Sequence, residues 1–154
     1  WDTGNDGPGM PSWVGDVRVD SCLPNGEGST QNFTTSAGSS HYTLVNGASP
    51  EAENYVQSAT LGDVELFQFS NMLHTPSQIF GVMATCAALK DDAGSRSIRM
   101  KCKSGATIAD NGTDLTLSTS RTRIKGVFGV NPNTGTPWTK DSFNAAEFGV
   151  TVAV

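Results

Sequence analysis

Apolar and polar residues alternate with a period of two along most of the chain, which is typical of β-strands that bury one face. Strands are predicted at residues 16–23, 41–46, 55–60, 63–69, 98–103, 113–119, 122–130 and 147–154. In the two longest C-terminal strands the inward residues are predicted to be Ile124, Phe128, Val130, Phe148, Val150, Val152 and Val154. Turn-forming residues, such as PNGEGS at 24–29, separate the strands. The sequence predicts an all-β fold: a single jelly-roll-like β-sandwich of eight or nine short antiparallel strands, with at most one short helical turn.

Two further patterns refine this fold. The segment 79–89 (IFGVMATCAAL) is nearly continuously apolar, which predicts a strand in the middle of a sheet with both faces covered. The polar loop at 90–97 follows it, so this strand is predicted to form a hairpin with the strand at 98–103. The single helical turn is predicted after Trp138, with Thr139 as its N-cap.

The first fifteen residues differ from the rest of the chain. They contain four glycines and two prolines without any periodicity, which predicts an extended N-terminal arm or linker at 1–15, followed by the sandwich domain at 16–154. Trp1 and Trp13 are the predicted anchors of this arm. Because the chain begins with Trp rather than Met, we expect it to be a processed or partial piece of a longer protein. No apolar stretch is long enough to predict membrane insertion.

Charge is unevenly distributed along the chain, whose net charge is −5. Residues 1–65 contain nine acidic side chains against Arg18 alone, a net −8, and residues 90–125 contain eight basic against four acidic side chains, a net +4. The simpler interpretation is that the two regions lie side by side and neutralise each other. The alternative is a dipolar surface that helps identical subunits dock, with Arg99, Lys101 and Arg123 as candidate contacts beside Trp1 and Trp13. An acidic chain of this kind argues against nucleic-acid binding.

The sequence offers little catalytic chemistry. Cys22, Cys86 and Cys102 are odd in number and lack CxxC spacing, which favours three reduced, mostly buried thiols, although a bridge between Cys86 and Cys102 stays open. His41 and His74 have no metal-ligand spacing and are interpreted as surface or loop residues. We predict no catalytic residue, no metal site and no cofactor, and therefore no enzyme.

Three acidic or aromatic patterns have simple structural interpretations. Asp63 and Glu65 share a strand face and are interpreted as solvated surface acids. Asp91 and Asp92 beside Gly94 predict a turn closed by side-chain hydrogen bonds rather than a calcium site. A sugar-binding platform would draw on exposed rings, for which the candidates are Trp1, Trp13, Trp138, Tyr42 and Tyr55; Trp138 is predicted to pack at the end of the sandwich instead.

Several phrases resemble a family of tailed-phage virion proteins that are described as tail or structural proteins. They are GDVRVDSCLPNGEGSTQNFT, HYTLVN with NYVQSATLGDVELFQF, ALKDDAGSRSI with KSGAT, LSTS, and NPNTGTPWTKDSFNAAEFGV, which together cover about residues 15–152. The resemblance implies a β-sandwich virion component without a known catalytic residue.

These observations lead to one functional expectation with two alternatives. We expect a structural component of a tailed-phage virion, assembled in the host bacterial cytoplasm, most simply a tail or fibre appendage whose loops recognise the host surface or its glycans. The expected partners are copies of the same chain, in a cyclic homo-oligomer taken as a trimer, and other virion proteins. The alternatives are a capsid-decoration or head-fibre protein and a stand-alone carbohydrate-binding module.

Overall fold

The computed structural model describes residues 17–47 and 53–154, and within them the chain is built almost entirely of strands. The strands are β1 (Pro24–Gln31), β2 (Thr34–Thr35), β3 (Val56–Gln57), β4 (Val64–Phe69), β5 (Val82–Ala88), β6 (Ser97–Ser104), β7 (Thr107–Asp110), β8 (Leu115–Thr116), β9 (Thr122–Phe128) and β10 (Glu147–Val152). Two five-residue helices complete the set, α1 (His41–Val45) and α2 (Lys140–Asn144). The all-β prediction is confirmed.

One antiparallel sheet forms the centre of the molecule. Its strand order is β1-β4-β10-β6-β7, and β8 pairs with the end of β6 beside β7. The strand β10 lies between β4 and β6, with Phe148 opposite Phe67 on one side and Cys102 on the other. The alternation in 63–69 and 147–154 therefore predicted strands correctly, and their pairing joins residues some 80 positions apart in the chain.

A second layer is a two-stranded antiparallel ribbon of β5 and β9, which we call the β5–β9 ribbon. Its inner face packs against β6: a Cβ on Gly126 would lie 2.6 Å from Cγ of Met100, closer than atoms of a real side chain approach. Glycine at 126 is therefore what allows the ribbon to approach the large sheet. A smaller ribbon pairs β2 with β3.

The core lies between the large sheet and the β5–β9 ribbon. Phe148 stands at its centre and contacts four aromatic rings at centroid distances of 5.7–6.1 Å, those of Phe69, Phe128, Trp138 and Phe143. Trp138 is 3% exposed and donates its indole N–H to the carbonyl of Phe128 at 3.0 Å. The prediction that Trp138 packs inside the fold is confirmed.

The helical turn near the C-terminus is also confirmed. Thr139 is the N-cap of α2: its hydroxyl accepts from the N–H of Ser142, and the Ser142 hydroxyl accepts from the N–H of Thr139. This reciprocal capping satisfies two backbone donors that a helix start would leave unpaired.

The prediction for residues 16–29 is wrong. Residues 17–23 form no strand, and the predicted turn PNGEGS is the first part of β1. The glycines here serve close contact rather than chain reversal, because a Cβ on Gly28 would lie 2.3 Å from the backbone oxygen of Leu66 on β4. Register shifts along β1 show that this pairing is irregular.

The predicted strand at 41–46 is a helix. The Glu27 carboxylate accepts the backbone N–H groups of His41 at 2.8 Å and Tyr42 at 3.3 Å, which are donors of the first turn of α1. An acceptor from a strand fourteen residues earlier thus overrides the local alternation. With α1 and α2 present, the limit of one helical turn is also wrong, and the described residues contain ten strands rather than eight or nine.

The apolar run at 79–89 does not lie in the middle of a sheet. Its strand β5 pairs only with β9, and alternate residues are exposed on the outer face of the ribbon. The predicted hairpin with 98–103 is also wrong, because β6 pairs with β10, β7 and β8 instead.

Two terminal residues of predicted strands, Val130 and Val154, are exposed rather than inward, whereas Ile124, Phe128, Phe148 and Val152 are buried as predicted. The jelly-roll-like sandwich and the domain bounds stay predictions. Residues 1–15, the predicted arm, lie outside the described residues.

Candidate functional site

The outer face of the β5–β9 ribbon is the most distinctive exposed surface of the described chain. Because successive strand residues point to opposite faces, Ile124, Gly126 and Phe128 face the core while Arg123, Lys125 and Val127 face outward. Three cross-strand pairs form this face: Met83 with Val127, Thr85 with Lys125, and Ala87 with Arg123. We call these six residues the outer face.

One end of the outer face is apolar. Met83 is 58% exposed and Val127 is 60% exposed, and they lie directly opposite each other. Phe80, just before β5, and Val130, just after β9, are exposed at the same end of the ribbon. A contiguous group of exposed large apolar side chains is typical of interaction sites rather than of ordinary surface.

The other end of the outer face is basic. Arg123 and Lys125 are exposed, and neither forms an ion pair with any residue that the structure describes. Their cross-strand neighbours on β5 are Ala87 and Thr85, and neither of these carries a negative charge that could neutralise them. The face therefore carries positive charge on a chain whose net charge is −5.

The other two basic candidates have a different position. Arg99 contacts Asp110 and Asp114, and the ammonium of Lys101 lies 3.3 Å from Asp110. The hydrogen bond from Arg99 holds the pKa of Asp114 below its ordinary value. The structure thus neutralises Arg99 and Lys101 within the chain but leaves Arg123 exposed on the outer face; Trp1 and Trp13 lie outside the described residues.

The ribbon also has two open edges. Within residues 17–47 and 53–154, β5 pairs only with β9 and β9 only with β5. Each strand consequently presents backbone donors and acceptors along its outer side, which are available to another chain.

A second group of functional side chains joins α1 to the sheet, and we call it the Glu27–His41–Glu65 cluster. Glu65 on β4 is 0% exposed; it accepts the N–H of Phe33 at 3.0 Å, and its Oε1 lies 2.7 Å from Nδ1 of His41. The Glu27 carboxylate on β1 accepts hydrogen bonds from the hydroxyl of Ser40 and from the backbone N–H of His41, at the start of α1. The interpretation of Glu65 as a solvated acid and of His41 as a surface residue is wrong.

The electrostatics of this cluster follow from its burial. Loss of hydration raises the pKa of Glu65, nearby Glu27 acts in the same direction, and the bonds from Phe33 and His41 oppose the change. With both Glu65 oxygens already bonded and no exposed surface, this carboxylate has no access to a substrate. Its chemical role is to hold α1 and the 32–41 segment on the sheet.

The remaining histidine and the cysteines have structural surroundings. His74 is half exposed in a loop, with Nδ1 2.8 Å from Asp20. The three cysteines are free, and burial raises the pKa of Cys86 to about 11 and that of Cys102 to about 12, which makes both poor nucleophiles at neutral pH. Cys86 and Cys102 lie on strands that do not pair, contrary to the predicted hairpin.

The loop at 90–97 and a polar cavity near α2 bear on metal and sugar binding. Among the described residues, no group of three His, Cys, Asp or Glu side chains converges as a metal site would require. Asp92 accepts the N–H of Gly94 at 3.0 Å and binds Arg96, so the predicted Asp-closed turn is confirmed. An open cavity of ≈ 270 Å³ near α2 is lined by four amide side chains, Asn25, Gln68, Asn71 and Asn144, together with Glu147 and Phe69.

Sequence reasoning missed most of the outer face. On β9 the alternation does indicate the outward residues. Arg123, Lys125 and Val127 alternate with the apolar residues Ile124 and Phe128. On β5, small apolar residues occupy both faces, so the sequence carries no alternation that marks Met83 as exposed.

No family model, no curated protein and no solved structure matches this chain significantly. Within the described residues, neither helix has the length or apolar character that a bilayer-spanning segment requires.

Proposed function

We propose that this chain is a non-enzymatic structural module that assembles with copies of itself through the outer face of the β5–β9 ribbon. The observation that carries the proposal is the outer face itself, which combines exposed Met83 and Val127 with the unpaired cations Arg123 and Lys125. Apolar surface next to charge of one sign drives association and also fixes its register.

The assembly that we propose is the virion of a tailed phage, formed in the host bacterial cytoplasm. Supporting this is the resemblance of the phrases between residues 15 and 152 to tail and structural proteins of such phages, in the same order along the chain. Within the virion we propose a tail or fibre appendage, whose exposed loops contact the host surface. A capsid-decoration or head-fibre protein is the nearest alternative.

Labelling of intact particles tests the location. Antibodies raised against the purified chain are expected to mark the tail or its fibres in negative-stain electron micrographs. Labelling over the capsid would favour the decoration alternative. Particles that carry no label, under conditions where a known virion protein is labelled, would contradict the virion proposal.

The oligomeric state of the purified chain tests assembly directly. Sedimentation velocity over a wide concentration range is expected to give a closed homo-oligomer, with a trimer as the expected stoichiometry. A monomer at all concentrations would contradict assembly through the outer face.

Carbohydrate binding is the second candidate function, and the amide-lined cavity near α2 is the observation that favours it, because amides bond sugar hydroxyls as both donors and acceptors. Burial of Trp138, as predicted, removes that ring from the candidates for an aromatic platform. Glycan-array binding by the chain that is lost in Asn71→Ala and Gln68→Ala would support this candidate, and a blank array would remove it.

A further inference from the structure

We infer that the outer face of one copy is covered by the acidic N-terminal segment, residues 1–16, of a neighbouring copy. This inference rests on the proposed function, because it names the partner that the outer face binds in the assembly. The chemistry of the outer face and the composition of the segment both favour this occupant.

Charge complementarity selects the segment. Residues 1–16 contain Asp2, Asp6 and Asp16 and no lysine or arginine. The outer face holds Arg123 and Lys125 without an acidic partner among the described residues. The acids of the described domain are largely committed: Glu27 and Glu65 to α1, Asp110 and Asp114 to Arg99, and Glu147 to Ser29 and Lys103.

Apolar chemistry agrees with charge. The segment contains two tryptophans, Trp1 and Trp13, and the outer face offers Met83 and Val127, with Phe80 exposed at the same end of the ribbon. Large aromatic rings next to exposed methionine and aliphatic groups make favourable contacts, and tryptophan is among the residues that contribute most at interfaces.

The alternative of two outer faces meeting each other is less favourable. Such a symmetric contact would bring Arg123 and Lys125 of both copies to one interface, and like charges that meet in a desolvated contact repel. An acidic segment neutralises the same cations, and each outer face then binds one segment. A contact from the segment of one copy to the face of the next is head-to-tail, and such contacts form a ring when the rotation between successive copies closes.

The segment is long enough to extend well beyond its attachment point. Sixteen residues in an extended conformation span at most about 55 Å. Their attachment point is held by Asp20, whose carboxylate lies 2.8 Å from the ring of His74 in the loop that leads to β5. The experiment distinguishes the face of the same copy from that of a neighbour.

Charge reversal in the full chain is the test. The arm-reversed chain carries Asp2→Lys and Asp6→Lys, and the face-reversed chain carries Arg123→Glu and Lys125→Glu. Each is expected to raise the dissociation constant of the oligomer about tenfold or more, since attraction becomes repulsion at two positions. Glu53→Lys, which alters an exposed acid outside the segment, is the matched control and should leave association unchanged.

Mixing the two reversed chains identifies the neighbour. If the segment binds in trans, an equimolar mixture associates more strongly than either reversed chain alone, because two of the three contacts in a mixed trimer then join a segment to a face of opposite charge. Restoration only when all four substitutions are combined in one chain would mean that the segment covers its own copy and would overturn the inference. An oligomer that is insensitive to both reversals would overturn it as well, whereas a monomeric wild type would mean that the proposed assembly itself fails.

Discussion

The strands β9 and β10 are similar in length and in alternation but have opposite roles in the molecule. β10 is hydrogen-bonded on both sides, to β4 and β6, and buries Phe148, Gly149, Thr151 and Val152 on both of its faces. β9 has a partner on one side only and exposes every second residue. The difference shows that alternation alone reports one buried face, whereas the number of neighbouring strands decides whether the other face is available for binding.

The largest effect is expected at the centre of β10. Phe148→Ala removes a ring that contacts four other aromatic rings, and it should lower the free energy of unfolding by about 3–5 kcal/mol. Urea denaturation followed by tryptophan fluorescence measures the loss, and Leu73→Ala at an exposed position is the control. A loss under about 1 kcal/mol, within the range of ordinary surface substitutions, would contradict the position of Phe148 in the core.

The contact between the ribbon and the large sheet should be next in size. Gly126→Ala places a Cβ 2.6 Å from Cγ of Met100 and is expected to cost about 1–3 kcal/mol through overpacking. The matched control is Gly129→Ala three residues later, where no heavy atom lies within 4 Å of the added carbon. Equal stability of the two variants in the same denaturation assay would show that the ribbon does not pack on β6 as described.

How far the sequence predicted this molecule depends on the range of the interactions involved. The alternation of 63–69, 122–128 and 147–152 and the N-cap Thr139 are local signals, and the structure has these elements. The pairing of β5 with β9 instead of β6 depends on contacts between residues about 40 positions apart. No local pattern specifies such a register.

The polar cluster illustrates the same limit. His41 lies in a segment whose alternation is typical of a strand. The segment is nevertheless a helix, because Glu27 on β1 accepts the N–H of His41 at its start. Glu65 has the spacing of a surface acid, and only its bonds to Phe33 and His41 account for its burial. A buried carboxylate of this kind is recognisable once its partners are known, and the sequence does not indicate that they converge.

A smaller, pH-dependent effect is expected at Glu65. Burial raises its pKa above the ordinary value of 4.5, so the folded state holds the proton more tightly than the unfolded chain. Its contribution to stability is therefore complete below the ordinary value and is lost as the pH rises through the raised value. The wild type should lose free energy of unfolding relative to Glu65→Gln as the pH rises above the ordinary pKa of 4.5 and through the raised pKa of the folded state.

Glu53→Gln provides the control for this comparison, because Glu53 is exposed. Its unfolding curves should follow those of the wild type throughout the pH range. A constant difference between wild type and Glu65→Gln at every pH would mean that the pKa of Glu65 is the same in the folded and the unfolded chain, which would contradict the raised pKa.

The smallest effect on folding and the most direct test of the outer face come from one substitution, Val127→Asp. Val127 is exposed but lies in a strand, where Asp is less favourable than Val, so the free energy of unfolding should fall by no more than about 1 kcal/mol. Leu73→Asp is the matched control, at a position that is 87% exposed and lies outside the ribbon. In sedimentation velocity, the account predicts that Val127→Asp dissociates the oligomer while Leu73→Asp leaves it intact. An oligomer that survives Val127→Asp unchanged would contradict assembly through the outer face.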